Sequence, residues 1–229
     1  MTDAHCHVSC GDPSVREFLV GRDFFGVHPW ETLEKRGIEG PEVAGELRFR
    51  LIANPKAGVG EIGLDRLKVR DIPPLMREVF EAQLALAFEL RRPVVLHGAK
   101  CWGQVVAAVR ALNSRQPLTQ TIKQSNNQTL PPLLFHGFSR SDGLVPEIVK
   151  LNGFISVGPA VLNDHAVNYR ELVKKIPLDR LLVETDRTSS SDSPSISDVL
   201  AKTAELRGIS AAELEKITDE NADRFLGIV

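Results

Sequence analysis

The sequence predicts an α/β protein with a TIM-like (β/α) barrel, distorted or seven-stranded, on three observations. Short runs rich in Val, Ile, Leu and Phe alternate with longer amphipathic stretches, the pattern of parallel strands joined by crossover helices. Histidines and carboxylates fall at the carboxyl ends of those runs, where barrel enzymes keep their active sites. The chain has 229 residues, 42% of them hydrophobic and 25% charged, which suits one sizeable core, and residues 1–229 are expected to form a single domain.

Taken in order, strands are expected at 1–6, 23–27, 58–62, 93–97, 133–136, 153–157 and 180–184, seven in all. Helices are expected at 42–53, 74–91, 103–112, 143–151, 168–174 and 195–207. Within the second of these, Met76, Val79, Phe80, Leu84, Ala87 and Leu90 recur at helical spacing and would cover the sheet. A last helix begins at Ser210, where Ser-x-x-Glu with Glu213 matches a capping box. Residues 113–132 and 188–197 are polar and read as surface loops.

A formal charge of −2 and a pI near 6.3 exclude a generally basic, nucleic-acid-coating surface, though not a local patch. No cationic leader precedes an apolar run, and no stretch approaches the ~20 apolar residues of a membrane span. A cytoplasmic monomer without a membrane partner is expected. The three cysteines, Cys6, Cys10 and Cys101, cannot all pair and read as reduced thiols.

Five of the six histidines lie at or just beyond a predicted strand end. In Asp3-Ala-His5-Cys-His7 the two histidines are two residues apart, so a strand would point both to one face, within reach of one ion. Glu61, among glycines in GVGEIGLD, could bridge two cations or cap the following turn. His97 and His136 each end an apolar run; either alone would be an ordinary hydrogen-bonded rim residue, and together with His5 and His7 they read as ligands. In LLVETD, Asp186 can bind metal and take a proton from the attacking water, while Glu184 reads as a supporting or ion-pairing residue. Four histidines and two carboxylates suit one or two divalent ions, Zn²⁺, Mn²⁺ or Mg²⁺, with the imidazole and oxygen mixture leaning toward zinc. Hydrolysis is the reaction such a set supports. No Gly-x-Ser-x-Gly turn and no glycine-rich nucleotide loop is present.

The succession DAHCH, GVHPW, GEIGLD, PVVLH, FHGFS, LLVETD and the closing NADRFLGI resembles the TatD family of metal-dependent deoxyribonucleases, within the amidohydrolase-like barrels, along nearly the whole chain. The resemblance implies metal ligation by His5, His7, Glu61, His97, His136 and Asp186, with Asp186 the base and Glu61 sharing in catalysis. It places His28 near the substrate phosphate, where a donor would steady developing charge; a cap before Pro29 is its other reading. Lys100 and Ser139 complete the expected substrate-binding group. The implied reaction is phosphodiester hydrolysis at DNA ends, of the 3′-5′ exonuclease kind. The chain departs from the family pattern in three places. Only about a dozen residues separate Cys10 from Asp23 where the family has a helix, a strand and another helix, so seven strands or a gap is expected. Gly98-Ala-Lys100 replaces a Cys or Ser followed by Arg. Serines replace the Pro-rich, basic loop after Asp186. An amidohydrolase-like enzyme on a small ester or amide, and a catalytically weak metal-binding relative, are the competing readings.

Overall fold

The computed structural model describes residues 1–34, 37–115, 130–189 and 194–228. Eight parallel strands occur among them: β1 (Thr2–Cys6), β2 (Arg16–Leu19), β3 (Phe24–Phe25), β4 (Gly58–Asp65), β5 (Val94–Ala99), β6 (Leu133–Phe135), β7 (Gly153–Val157) and β8 (Leu181–Val183). The helices are α1 (Glu31–Glu34), α2 (Gly40–Ala53), α3 (Pro74–Glu89), α4 (Trp102–Arg115), α5 (Val145–Lys150), α6 (Val167–Lys175), α7 (Ile196–Arg207) and α8 (Ala211–Leu226). The alternation is that of a distorted TIM barrel. Strands β3 to β8 form one continuous parallel sheet and β1–β2 a second. Two seams separate them. A single bridge, Val20 to Phe24, links β2 to β3. Beyond β8, the Asp186 amide donates to the His5 carbonyl and the His7 amide to the Arg187 carbonyl, at 3.0 and 2.8 Å.

The count of seven is corrected to eight. The short segment after Cys10 keeps the strand of the family pattern and lacks its helices, so β1 reaches β2 through a loop. This strand escaped the hydrophobic pattern because it opens on Arg16 and Glu17. Arg16 is held by Asp223 at 2.5 Å, the Asp219 carbonyl and the Thr2 hydroxyl, and Glu17 accepts from the Ser9 hydroxyl and the Cys10 amide. The complete capping box belongs to α7, between Ser195 and Asp198, whereas at Ser210 only the serine half forms, accepting the Glu213 amide. The polar loop expected at 113–132 falls largely on residues outside those described, and α4 runs on to Arg115.

The core has two parts. A large cluster lies between the sheet and the helices, and a smaller one of Ala4, Phe18, Phe24, Val95, Leu134, Phe154, Leu182, Ala222 and Phe225 fills the barrel interior. Helix α8 supplies Ala222 and Phe225 to this plug, and Phe225 stacks against Phe24 with centroids 5.9 Å apart. Side chains two apart on a strand share a face. Two residues beyond Val95, Leu134, Phe154 and Leu182 come His97, His136, Ser156 and Glu184, so the apolar plug is the floor under the polar rim. On β4, Val59, Ile62 and Leu64 all belong to the outer cluster. The alternation therefore slips by one between Val59 and Ile62, where the pairing with β5 is irregular, and Glu61 lies at the slip. Such irregularities re-aim side chains beside active sites. The Gly60–Glu61 peptide is cis. Gly63 has φ +155°, and a Cβ there would meet the His97 carbonyl oxygen at 2.0 Å, so only glycine lets β4 lie this close to β5.

Candidate metal centre

Glu61 organises the rim. It is buried, and its two oxygens face different histidines. Oε2 lies 3.5 Å from His5 Nε2 and 3.4 Å from His7 Nε2. Oε1 lies 2.5 Å from His97 Nδ1 and 2.6 Å from His136 Nε2, and those two nitrogens are 3.2 Å apart. Asp186 closes the first group, with Oδ1 3.6 Å from His5 Nε2 and 3.5 Å from His7 Nε2. The structure thus brings together all six residues expected to ligate metal. Three overlapping sets each place their donor atoms within 4.8 Å of one another: His5, His136 and Asp186; His5, His7 and Glu61; His28, Glu61 and His97.

His28 joins this cluster, 3.6 Å from Glu61 Oε1 through Nε2. Its Nδ1 accepts the Trp30 amide at 3.1 Å, so in the neutral ring Nε2 carries the proton. Burial pushes its pKa down to about 4, which keeps it neutral at physiological pH. Asp65, which closes the run GVGEIGLD, carries no expected role from sequence. Asp65 Oδ2 accepts from His97 Nε2 at 2.8 Å, which aims His97 Nδ1 at Glu61. Period-two alternation from Glu61 through Gly63 to Asp65 was the signal that could have found it. Glu184 stands behind His136: Oε1 is 3.7 Å from His136 Nδ1 and accepts the Gly137 amide at 2.7 Å, and the Ser156 hydroxyl donates to Oε2. Asp3, also buried, accepts from the Thr185 amide at 2.9 Å and hydroxyl at 2.6 Å, pinning the segment after β8 to β1. Asp186 follows in a left-handed conformation, φ 49°.

The carboxylates and imidazoles of the cluster shift one another. Burial alone would raise the Glu61 carboxyl; the charge and hydrogen bond of His136 overcome it and hold Glu61 well below the usual carboxylate range. Burial would likewise lower His136, and the Glu61 charge with Glu184 close by raises it well above an ordinary imidazole. Asp186 and Glu61 raise His7 to about 9. A divalent ion would take over this role and release the protons. The donor chemistry fits one. Among the described residues His5 Nε2 and His136 Nδ1 are buried without a hydrogen-bond partner, a state that costs about 1–3 kcal/mol for a buried polar group. His5 Nε2 points between two carboxylate oxygens, as a metal-ligating imidazole would.

Ser139 is half-buried in the segment after β6, and Lys100 is exposed just beyond β5 with φ 57°. Neither makes a hydrogen bond or ion pair with the histidine cluster.

Imidazoles and carboxylates converging on a bridging glutamate at the carboxyl rim of a (β/α) barrel define a metal-dependent hydrolase. The chain belongs to the TatD related DNase family, which it matches over residues 21–227. His5 and His7 precede that span. The chain is 30% identical over 179 residues to the uncharacterized metal-dependent hydrolase YabD of Bacillus subtilis (strain 168), covering 74% of this chain and 65% of that protein. It is 30% identical over 218 residues to the 3′-5′ ssDNA/RNA exonuclease TatD of Klebsiella pneumoniae (strain 342), covering 89% of this chain and 76% of the enzyme. The crystal structure of YjjV, a TatD homologue from Escherichia coli K12, superposes with a TM-score of 0.75 over 98% of this chain and 97% of that one, at 24% identity. That likeness bears on the fold alone.

Proposed function

We propose that this chain, acting as one domain over residues 1–229 and as a cytoplasmic monomer, is a divalent-metal-dependent phosphodiesterase that removes nucleotides from DNA ends in the 3′-5′ direction. The observation that carries the reading is Glu61, with one oxygen toward His5 and His7 and the other toward His97 and His136. His5, His7, Glu61, His97, His136 and Asp186 would hold one or two ions, with zinc favoured by the imidazole share. Bound there, the metal supplies Lewis-acid activation of water and neutralises charge on the phosphate.

The chain's own groups do the rest. Asp186, half-exposed and held below the usual carboxylate range, is ionised and placed to accept a proton from the attacking water. Burial tends to raise it, and His7 with the charge of His136 pulls it down. Neutral His28 donates through Nε2–H to a phosphate oxygen. Lys100 offers a point charge at the rim, and Ser139 a hydroxyl on the side of β6. No helix among the described residues is long and apolar enough to cross a membrane.

The experiment is to incubate the purified protein with 3′- and 5′-labelled single-stranded DNA, beside chelated protein and Asp186→Asn. Shortening from the 3′ end that needs metal and Asp186 is the expected result. Stoichiometric metal with no cleavage of DNA, RNA or a generic phosphodiester would overturn the reading and favour a small ester or amide.

A further inference from the structure

His28 lies beyond the end of β3, and no strand ladder carries it. Strand β3 pairs with β4 only through Phe24 with Gly58 and Phe25 with Val59. Past Val59 the register of β4 is irregular, so the pairing stops short of Val27. The chain still runs close to β4 there. A Cβ on Gly26 would meet Ile62 Cγ2 at 2.7 Å and the Glu61 carbonyl oxygen at 3.2 Å, so glycine lets the turn pass directly over the Glu61 peptide. The Val27 peptide groups, deprived of a strand, are satisfied by a side chain. Gln83 of α3, fully buried, accepts the Val27 amide through Oε1 at 2.7 Å and donates from Nε2 to the Val27 carbonyl at 3.1 Å. Both ends of one amide are spent on one residue, as a neighbouring strand would do.

From Val27 the hold passes to the His28 ring. Pro29 restricts the His28 backbone to extended conformations. The His28 amide donates to Glu31 Oε1 at 3.0 Å and the Trp30 amide to the ring Nδ1 at 3.1 Å, so ring and turn move as one body. Packing does not fix where that body sits. Toward α2 it borders a hollow of about 110 Å³, lined by Val27, Glu31, Val43 and Arg50 among others, which leaves the turn room to shift. Gln83 ties it instead to α3, whose Met76, Phe80, Leu84 and Ala87 are buried in the core. The position of a rigid helix is thereby passed to His28 Nε2, 3.6 Å from Glu61 Oε1.

We propose that Gln83 is a positioning residue for turnover: by holding the Val27 peptide it aims the His28 Nε2–H at the phosphate. Its own hydrogen bonds go to neither a metal ligand nor the site's open face. The assignment rests on the phosphodiesterase reading, in which neutral His28 donates to a phosphate oxygen. A glutamine with a solely structural part would alter stability and leave the chemical step alone. A donor displaced by about 1 Å costs up to about a hundredfold in rate, and because its bond strengthens as charge develops, the loss falls on kcat more than on KM.

The test is a double-variant cycle on the zinc-loaded protein with bis(p-nitrophenyl) phosphate as substrate, combining Gln83→Met with His28→Ala. Methionine keeps the length and fills the space without making either hydrogen bond. Gln83→Met should lower kcat about ten- to a hundredfold with KM and zinc content unchanged. In the His28→Ala background the same substitution should cost less than about twofold, because the two residues act through one group. Equal losses in both backgrounds, or loss of zinc from Gln83→Met, would overturn the proposal. Were Gln83→Met to misfold, Gln83→Glu, which keeps the length and an acceptor for the Val27 amide, would decide by the same comparison. A second readout does not depend on turnover. Proton–nitrogen NMR correlations of the His28 ring should show one sharp, protonated Nε2 in the parent and a displaced, broadened one in the Gln83 variant; unchanged His28 resonances would overturn the proposal. A displaced His28 ring in a protein that hydrolyses no phosphodiester would sustain the positioning and remove the phosphodiesterase reading instead.

Discussion

On one side of Glu61 the donor cluster is braced, and on the other it is open. His97 stands on β5 and His136 directly follows β6, within one continuous ladder of strands, and each is backed by a second carboxylate, Asp65 at 2.8 Å and Glu184 at 3.7 Å. His7 and Asp186 sit at the seam between β8 and β1, where a few bonds replace the ladder, and their side chains are 34% and 47% exposed. The braced half has its imidazoles oriented before any ion arrives. The open half faces solvent, where water and substrate must enter. Rigid support belongs with ligand geometry, and exposure with the group that handles protons.

Glu61→Gln should have the largest effect, since both halves share this residue. Metal content should fall in both and turnover should drop on the order of a thousandfold, the cost of losing a central electrostatic group. Elemental analysis beside a rate measurement checks it; a variant that keeps full metal would show the halves to be independent. Asp65→Asn tests the bracing alone. Loss of a partner behind a metal-ligating histidine typically costs 10- to 100-fold in metal affinity, readable by competition with a chelator. Unchanged affinity would mean that β5 alone orients His97. The smallest effect is expected at the seam, where Thr185→Val removes one hydrogen bond to buried Asp3 and leaves the backbone one. A loss of about 1–3 kcal/mol in urea unfolding is expected, with metal affinity in the braced half unchanged. A large loss of metal there would show that the seam and the braced half are coupled.

What the sequence disclosed follows the same division. Histidines that end apolar runs, as in PVVLH and LLFH, announce both a strand and a rim position, and these converge on Glu61 as expected. His5, His7 and Asp186 were legible from two-residue spacing and motif order. Strand β2 was hidden because the charges of Arg16 and Glu17 are answered by Asp223 from α8 and by Ser9, which no local pattern displays. Asp65 was passed over because the strand was expected to end at residue 62, whereas β4 runs on to Asp65 and keeps it on the same face as Glu61. The cleft beside Asp186 was hidden because its walls come from the separate segments after β6 and β7, joined through the buried carboxylate of Glu184 and through the Lys175–Asp142 pair. Local periodicity shows which residues reach the rim, and long-range pairing decides what braces them.

The most direct test of this division is diffraction from metal-loaded crystals at the absorption edge of the bound ion. Ions on one or both sides of Glu61, touching its Oε2 with His5 and His7 or its Oε1 with His136, at the ~2.0–2.2 Å usual for such ligands, are predicted. Ions bound elsewhere in the chain, with Glu61 touching none, would contradict the account.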